Sequence, residues 1–204
     1  MTTLIHQIFG FVGCFLLLGH LCVCILRRYK DHAFYRWVVI ALPLPLLLLV
    51  LPVGVFTVAE YMRGVIGDLS MITLLIMGAA LWHRLGGRRL IDGHSLRFLQ
   101  IAVITGGILL YPMTLGVTMM DPYRLGYLRG VAPLVMILIA LGAWGIKRRA
   151  AAFVIILAVL SFHLRIMEST NLWDYYLDPF LFLYFCVFLF LQNVSCNVNI
   201  LYKS

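Results

Sequence analysis

Seven apolar stretches, at 4–26, 37–59, 65–83, 98–118, 131–146, 150–165 and 179–194, fill most of this 204-residue chain, and short charged loops join them. Each approaches the roughly 20 residues that a helix needs to cross the hydrocarbon core of a bilayer. Hydrophobic residues make up 63% of the chain and charged ones 12%, more apolar surface than a soluble core of this size can hide. The pattern predicts an all-α integral membrane protein: one polytopic bundle of about seven transmembrane helices over residues 1–204. The first stretch does not read as a cleavable signal peptide. It is long, lacks a basic start and carries Arg27, Arg28 and Lys30 on its far side.

Charge sets the expected orientation. If the 27–36 loop is cytoplasmic, so are 83–98, 147–149 and the C-terminus, and that side holds twelve of the sixteen Lys and Arg residues against Asp31 and Asp92. The other side holds Arg63, Arg124, Arg129 and Arg165 against six acids: Glu60, Asp68, Asp121, Glu168, Asp174 and Asp178. That bias predicts the N-terminus outside and the C-terminus inside. A bacterial inner membrane is the most economical location. The net charge of +8 is accounted for by topology, and no basic stripe is continuous enough to track a nucleic acid.

The longest polar interruption in the C-terminal half is Glu168–Pro179, ESTNLWDYYLDP, expected at the outer boundary of the membrane. Ionisable groups at that depth are costly to desolvate, which marks them as functional candidates. A helix over Trp173–Asp178 would put Asp174 and Asp178 four residues apart on one face, where each raises the other's pKa, as in a general acid/base pair or a cation site. In a catalytic version Asp174 is the base and Asp178 its partner. Arg63, Arg129 and Arg165 hold an anionic head group, and Asn171, Trp173 and Asp121 complete the binding face.

Most of these residues have a plainer reading, but Asp174 has no helix start to cap. Asp178 before Pro179 and Asp121 before Pro122 fit helix N-caps, in which case Asn or Ser at 178 would be mild replacements. Asp68 or Ser70 would cap the third helix. The arginines would neutralise the acids in a structural network. Trp173, Tyr175, Tyr176, Tyr123 and Tyr127 would belong to an interfacial aromatic belt.

Histidines offer a different class. His6 and His20 lie on nearly one face of the first helix, and His163 and His83 sit near the outer and inner ends of two others, so bis-histidine haem sites His6/His163 and His20/His83 are conceivable. Cys14, Cys22, Cys24, Cys186 and Cys196 form no disulfide framework. The second stretch, with Pro43, Pro45 and Pro52, should be kinked or partly open, and Pro112 should bend the fourth. Tyr61–Val65 (YMRGV) recurs as Tyr127–Val131 (YLRGV), a weak echo of a 66-residue repeat. No HExxH, CxxC, GxSxG, P-loop or GxGxxG pattern occurs. Asn193–Ser195 matches a glycosylation sequon on the expected inner side.

Taken together, these features predict a protein that engages a polar lipid or a lipid-linked envelope glycan at the outer boundary, as a small enzyme or the partner of one. The alternatives are a non-catalytic membrane subunit or assembly factor that docks another membrane protein, and a haem- or quinone-linked electron carrier. A transporter ranks below these, because charge is nearly absent from the helix interiors.

Overall fold

The structure, a computed structural model, describes residues 2–26, 43–116, 121–128 and 130–201. The described residues are 77% helical with almost no strand. Helix α1 spans Thr2–Leu26 and α2 spans Pro43–Val50; a two-strand hairpin follows (β1 Pro52–Val53, β2 Phe56–Thr57), then α3, Val58–Ile66. Long helices come next: α4 (Met71–Arg84), α5 (Gly93–Thr114), α6 (Val131–Gly145), α7 (Arg149–His163) and α9 (Pro179–Leu201). A 3-10 helix, Pro122–Tyr127, sits between α5 and α6, and a single turn, α8 (Trp173–Tyr176), precedes α9.

Two of these helices are long and apolar enough to cross a membrane, over Leu4–Val23 and Gly93–Thr114. Met71–Arg84, Val131–Gly145, Arg149–His163 and Pro179–Phe190 are apolar but shorter. The helix expected over 37–59, kinked or partly open at its prolines, is ended outright within its described part. Helix α2 ends at Val50, because Pro52 has no N–H to extend it and disfavours helical geometry at the residue before it. Gly54, at φ +69°, then turns the hairpin. Residues 37–42 and 117–118 lie outside the described residues.

The expected 65–83 helix is also interrupted: α3 stops at Ile66 and α4 restarts after the Ser70 cap. Helix α5 runs on through Pro112, but only as far as Thr114. The YMRGV echo has no structural counterpart, since residues 61–65 lie within α3 whereas 127–128 close the 3-10 helix with an extended Leu128.

Helix α7 is the centre of the packing and touches α4, α5, α6 and α8. Its inward side carries Ala151, Ala152 and Ala158, all fully buried, so neighbouring backbones approach closely. Outward it presents Phe153, Ile156 and Leu160. Helix α6 has the same inverted distribution: Ala132, Met136, Ala140 and Ala143 are buried, and Leu134, Leu138 and Leu141 are exposed. Small residues make up much of the inward sides, beside Met136, Ile155, Val159 and Phe162, and large apolar ones face out.

Among the described residues the charges separate by end. Glu60, Asp68, Asp121, Glu168, Asp174 and Asp178 gather with Arg63, Arg124 and Arg165 at the end where α4, α6 and α9 begin and α5 and α7 finish. Arg84, Arg88, Arg89, Arg97, Lys147, Arg148 and Arg149, with Asp92, occupy the opposite end.

Candidate functional site at the acidic end

The acidic end is held together by side chains from four segments distant in sequence. Asp178 caps α9, with Oδ1 accepting from Leu181 N at 2.8 Å. Its other oxygen reaches across to α4 and accepts from Ser70 N at 3.1 Å and from the Thr73 hydroxyl. Ser70 is itself the N-cap of α4, accepting from Thr73 N at 3.2 Å. One carboxylate, only 5% exposed, thus serves two helix N-termini, where unpaired N–H groups and the helix dipole both favour an anion.

Asp174 is partly buried and accepts from Tyr123 Oη at 2.7 and 3.0 Å and from the Ser169 hydroxyl. Burial first, then the hydrogen bond to Asp174, push the Tyr123 phenol well above its ordinary range, so it remains a donor to that carboxylate. The shared helical face expected for Asp174 and Asp178 is not formed. Helix α8 ends at Tyr176, and Leu177 is extended at φ −128°, ψ 129°, which breaks the four-residue spacing.

Asn171 and Trp173 join the 168–178 segment to the 3-10 helix. Asn171, fully buried, donates from Nδ2 to Tyr123 O at 3.0 Å and accepts from Trp173 N at 2.9 Å. Trp173 Nε1 donates to Pro122 O at 3.1 Å, and Leu172 N donates to Gly126 O at 3.0 Å. Asp121 caps the 3-10 helix by accepting from Tyr123 N at 3.0 Å, with Pro122 at the first position, as the Asp-Pro pair suggests. Tyr175 and Tyr176 are buried beneath, the first hydroxyl on Met167 and Ser169 backbone, the second donating to Ile155 O at 2.9 Å.

Arg63 grips Asp68 with two parallel bonds, at 2.9 and 3.0 Å, and reaches Glu168 at 3.4 Å. The hydrogen bond to Asp68 raises its pKa further. Its side chain lies so close to Gly10 of α1 that a Cβ there would fall 2.0 Å from Nε. Arg63 is therefore neutralised and wedged. Arg165, at φ +50°, is exposed beside His163, Ser169 and Thr170 around a cavity of about 190 Å³. Arg129 lies outside the described residues.

The four candidate haem histidines each meet a backbone carbonyl: His6 Nε2 at 3.0 Å from Arg165 O, His163 Nδ1 at 2.9 Å from Val159 O, His20 Nδ1 at 3.3 Å from Leu16 O, and His83 Nδ1 at 3.2 Å from Gly87 O. The cavities beside His163 and His83 each have no second histidine on their walls. Among the described residues, Cys14, Cys22 and Cys186 are free.

Two adjoining spaces stand out below this latch. An apolar groove of about 410 Å³ runs between α5 and α6, lined by Phe98, Ala102, Gly106 and Leu109 on one side and Val135, Met136 and Ile139 on the other. Ile72 and Ile155 form its floor, and Trp173, Tyr176 and Leu177 close it at the acidic end. Past Trp173 and Leu177 lies a second space of about 270 Å³, bounded by Leu110, Tyr111, Thr114, Tyr123 and Asp174. The Tyr111 hydroxyl is buried there with no hydrogen-bond partner. Sequence reading missed Tyr111, Thr114 and the partner role of Thr73. The visible signal for Tyr111 was a hydroxyl inside the apolar run ILLYPMT. Comparison of the chain with protein-family models, with curated proteins and with solved structures finds no match.

Proposed function

We propose that this is a multi-pass membrane protein of a bacterial inner membrane, with about seven spans, the N-terminus outside and the C-terminus inside. Its acidic end lies at the outer boundary and engages a polar lipid or lipid-linked glycan. The observation that carries this reading is the groove between α5 and α6, which is apolar along its length and ends beside a carboxylate and three hydroxyls. Its volume is within the usual range of ligand pockets, and its rim residues Ile101 and Leu109 are exposed to the side. An alkyl chain entering laterally from a bilayer would lie along α5 with its head group under Trp173 and Asp174. The inverted α6 and α7 faces support lipid surroundings, since large apolar side chains turned outward are costly in water.

Two measurements bear on this. The wild-type protein, purified in mild detergent, is expected to retain one lipid by native mass spectrometry. Ala102→Trp, which fills the groove from its exposed side, is expected to lose that lipid at unchanged melting temperature. Identical lipid loads in both proteins would refute the groove reading.

Orientation is tested separately. A phosphatase reporter near Thr170 should be active and one after Lys203 inactive, as the segregation of charge between the two ends requires. The reverse activities would place the groove mouth on the cytoplasmic side.

A further inference from the structure

Resting on the groove reading, we infer that the head group taken at the groove mouth is an uncharged glycosyl unit rather than a phosphate. The inference comes from counting hydrogen-bond capacity around the second space. Asp174 can only accept, and Tyr123 and Ser169 leave it part of that capacity. Tyr123, on the wall of the mouth, has committed its proton to Asp174, so its oxygen can offer a ligand only lone pairs. Thr114 donates its proton to Tyr111 O at 2.9 Å and is likewise left with lone pairs. The Tyr111 hydroxyl is the one unpartnered group there that can still donate. A mouth so rich in acceptors is satisfied by a ligand that brings several donors.

A phosphate brings acceptors and negative charge, and it would face the Asp174 carboxylate with no cation among the described residues that line the space. Of the described arginines of this end, Arg124 is not on the walls of this space. Arg63 is bound to Asp68 and Glu168, and Arg165 lines the separate cavity beside His163. A quaternary ammonium would suit Asp174 but brings no N–H donor, and a primary one gathers its three donors on a single nitrogen, whereas the acceptors are spread over α5 and the 3-10 helix. A pyranose carries hydroxyls around its rim, which matches acceptors spread over two elements. The Trp173 indole, which lines both spaces, offers a flat apolar surface for sugar C–H groups.

The test uses the full chain in phosphatidylcholine nanodiscs, with Trp37, Trp82 and Trp144 replaced by Phe so that Trp173 reports alone. Brominated-chain monoglucosyl diacylglycerol, phosphatidic acid or an ammonium-headed dialkyl lipid is added at equal mole fraction, and quenching is read. A companion protein keeping only Trp144, which is exposed on α6, reports the bulk lipid. The glucosyl lipid is expected to quench Trp173 at lower mole fraction than either competitor. Tyr111→Phe, which removes one hydroxyl and keeps the ring against Phe182, should weaken that preference about threefold to tenfold. Stronger quenching by phosphatidic acid or the ammonium lipid, or equal quenching by all three, would overturn the head-group assignment and leave the groove intact. Trp173 quenching no greater than that of Trp144 with every lipid would overturn the groove reading itself.

Discussion

Asp178→Ala is expected to lower the melting temperature of the detergent-solubilised protein by roughly 10 °C, more than truncation of any other carboxylate described in the chain. Loss of an N-cap costs about 0.5–2 kcal/mol. Here the same change also strips Ser70 N of its acceptor at a buried site, which adds about 1–3 kcal/mol, while the Thr73 hydroxyl keeps Ser70 Oγ at 2.9 Å. At about 2–4 °C per kcal/mol for a chain of this size, a loss near 3 kcal/mol gives the stated shift. The informative variant is Asp178→Asn. A simple cap would tolerate it. In this structure both carboxylate oxygens receive donors, Leu181 N on one and α4 on the other, so the amide must set its NH2 against an N–H. Asn is therefore expected to lie nearer to Ala than to Asp. Wild-type melting in Asp178→Asn would show that the bond to α4 contributes nothing.

The same carboxylate shows where sequence reading stops. The Asp-Pro pair gave away the start of α9, because capping chemistry is local and its signals are adjacent residues. The second partner did not show, since Ser70 is 108 positions away and nothing in either segment encodes the approach. Asp174 was singled out for having no cap to serve, yet its acceptor capacity is largely taken by Tyr123 and Ser169. The expected pairing of Asp174 with Asp178 assumed a helix through Leu177. That residue is extended, and its side chain packs at Gly106 of α5, where it closes the groove.

Helix positions were more legible than partnerships, because apolar runs and flanking charges are themselves what drive burial. Starts at Val131, Arg149 and Pro179 fall within a residue of the apolar boundaries at 131, 150 and 179. The 37–59 stretch was misread because hydrophobicity alone cannot separate a helix from a hairpin. Three prolines gave warning of a disturbed helix, but not that Pro52 would end it and begin a strand. The groove was invisible in the sequence for a related reason. It is a space between α5 and α6, and its lining of Ala102, Gly106 and Val135 reads one residue at a time as ordinary apolar helix.

Gly126→Ala is expected to open the latch over the groove while leaving the long helices in place. An added Cβ would sit 1.8 Å from Asn171 Oδ1 and 2.5 Å from Trp173 Cδ1. Asn171 cannot swing aside freely, since its amide is fully buried and bonded at both ends, to Tyr123 O and Trp173 N. Expelling it leaves those two backbone groups without partners, at about 1–3 kcal/mol each, and pulls Trp173 from Pro122 O. The expected signature is local. Helical circular dichroism is retained, Trp173 emission shifts to the red in a protein carrying only that tryptophan, and cleavage within 168–174 by an added protease rises at least tenfold, as a loss above about 1.4 kcal/mol requires. In an Asn171→Gly background most of the clash is absent, so adding Gly126→Ala should cost much less than it does alone, and the shortfall in that double-mutant cycle measures the coupling. An unshifted Trp173 spectrum in Gly126→Ala would mean that the 3-10 helix and the 168–178 segment do not meet as described, and the closed end of the groove would go with them.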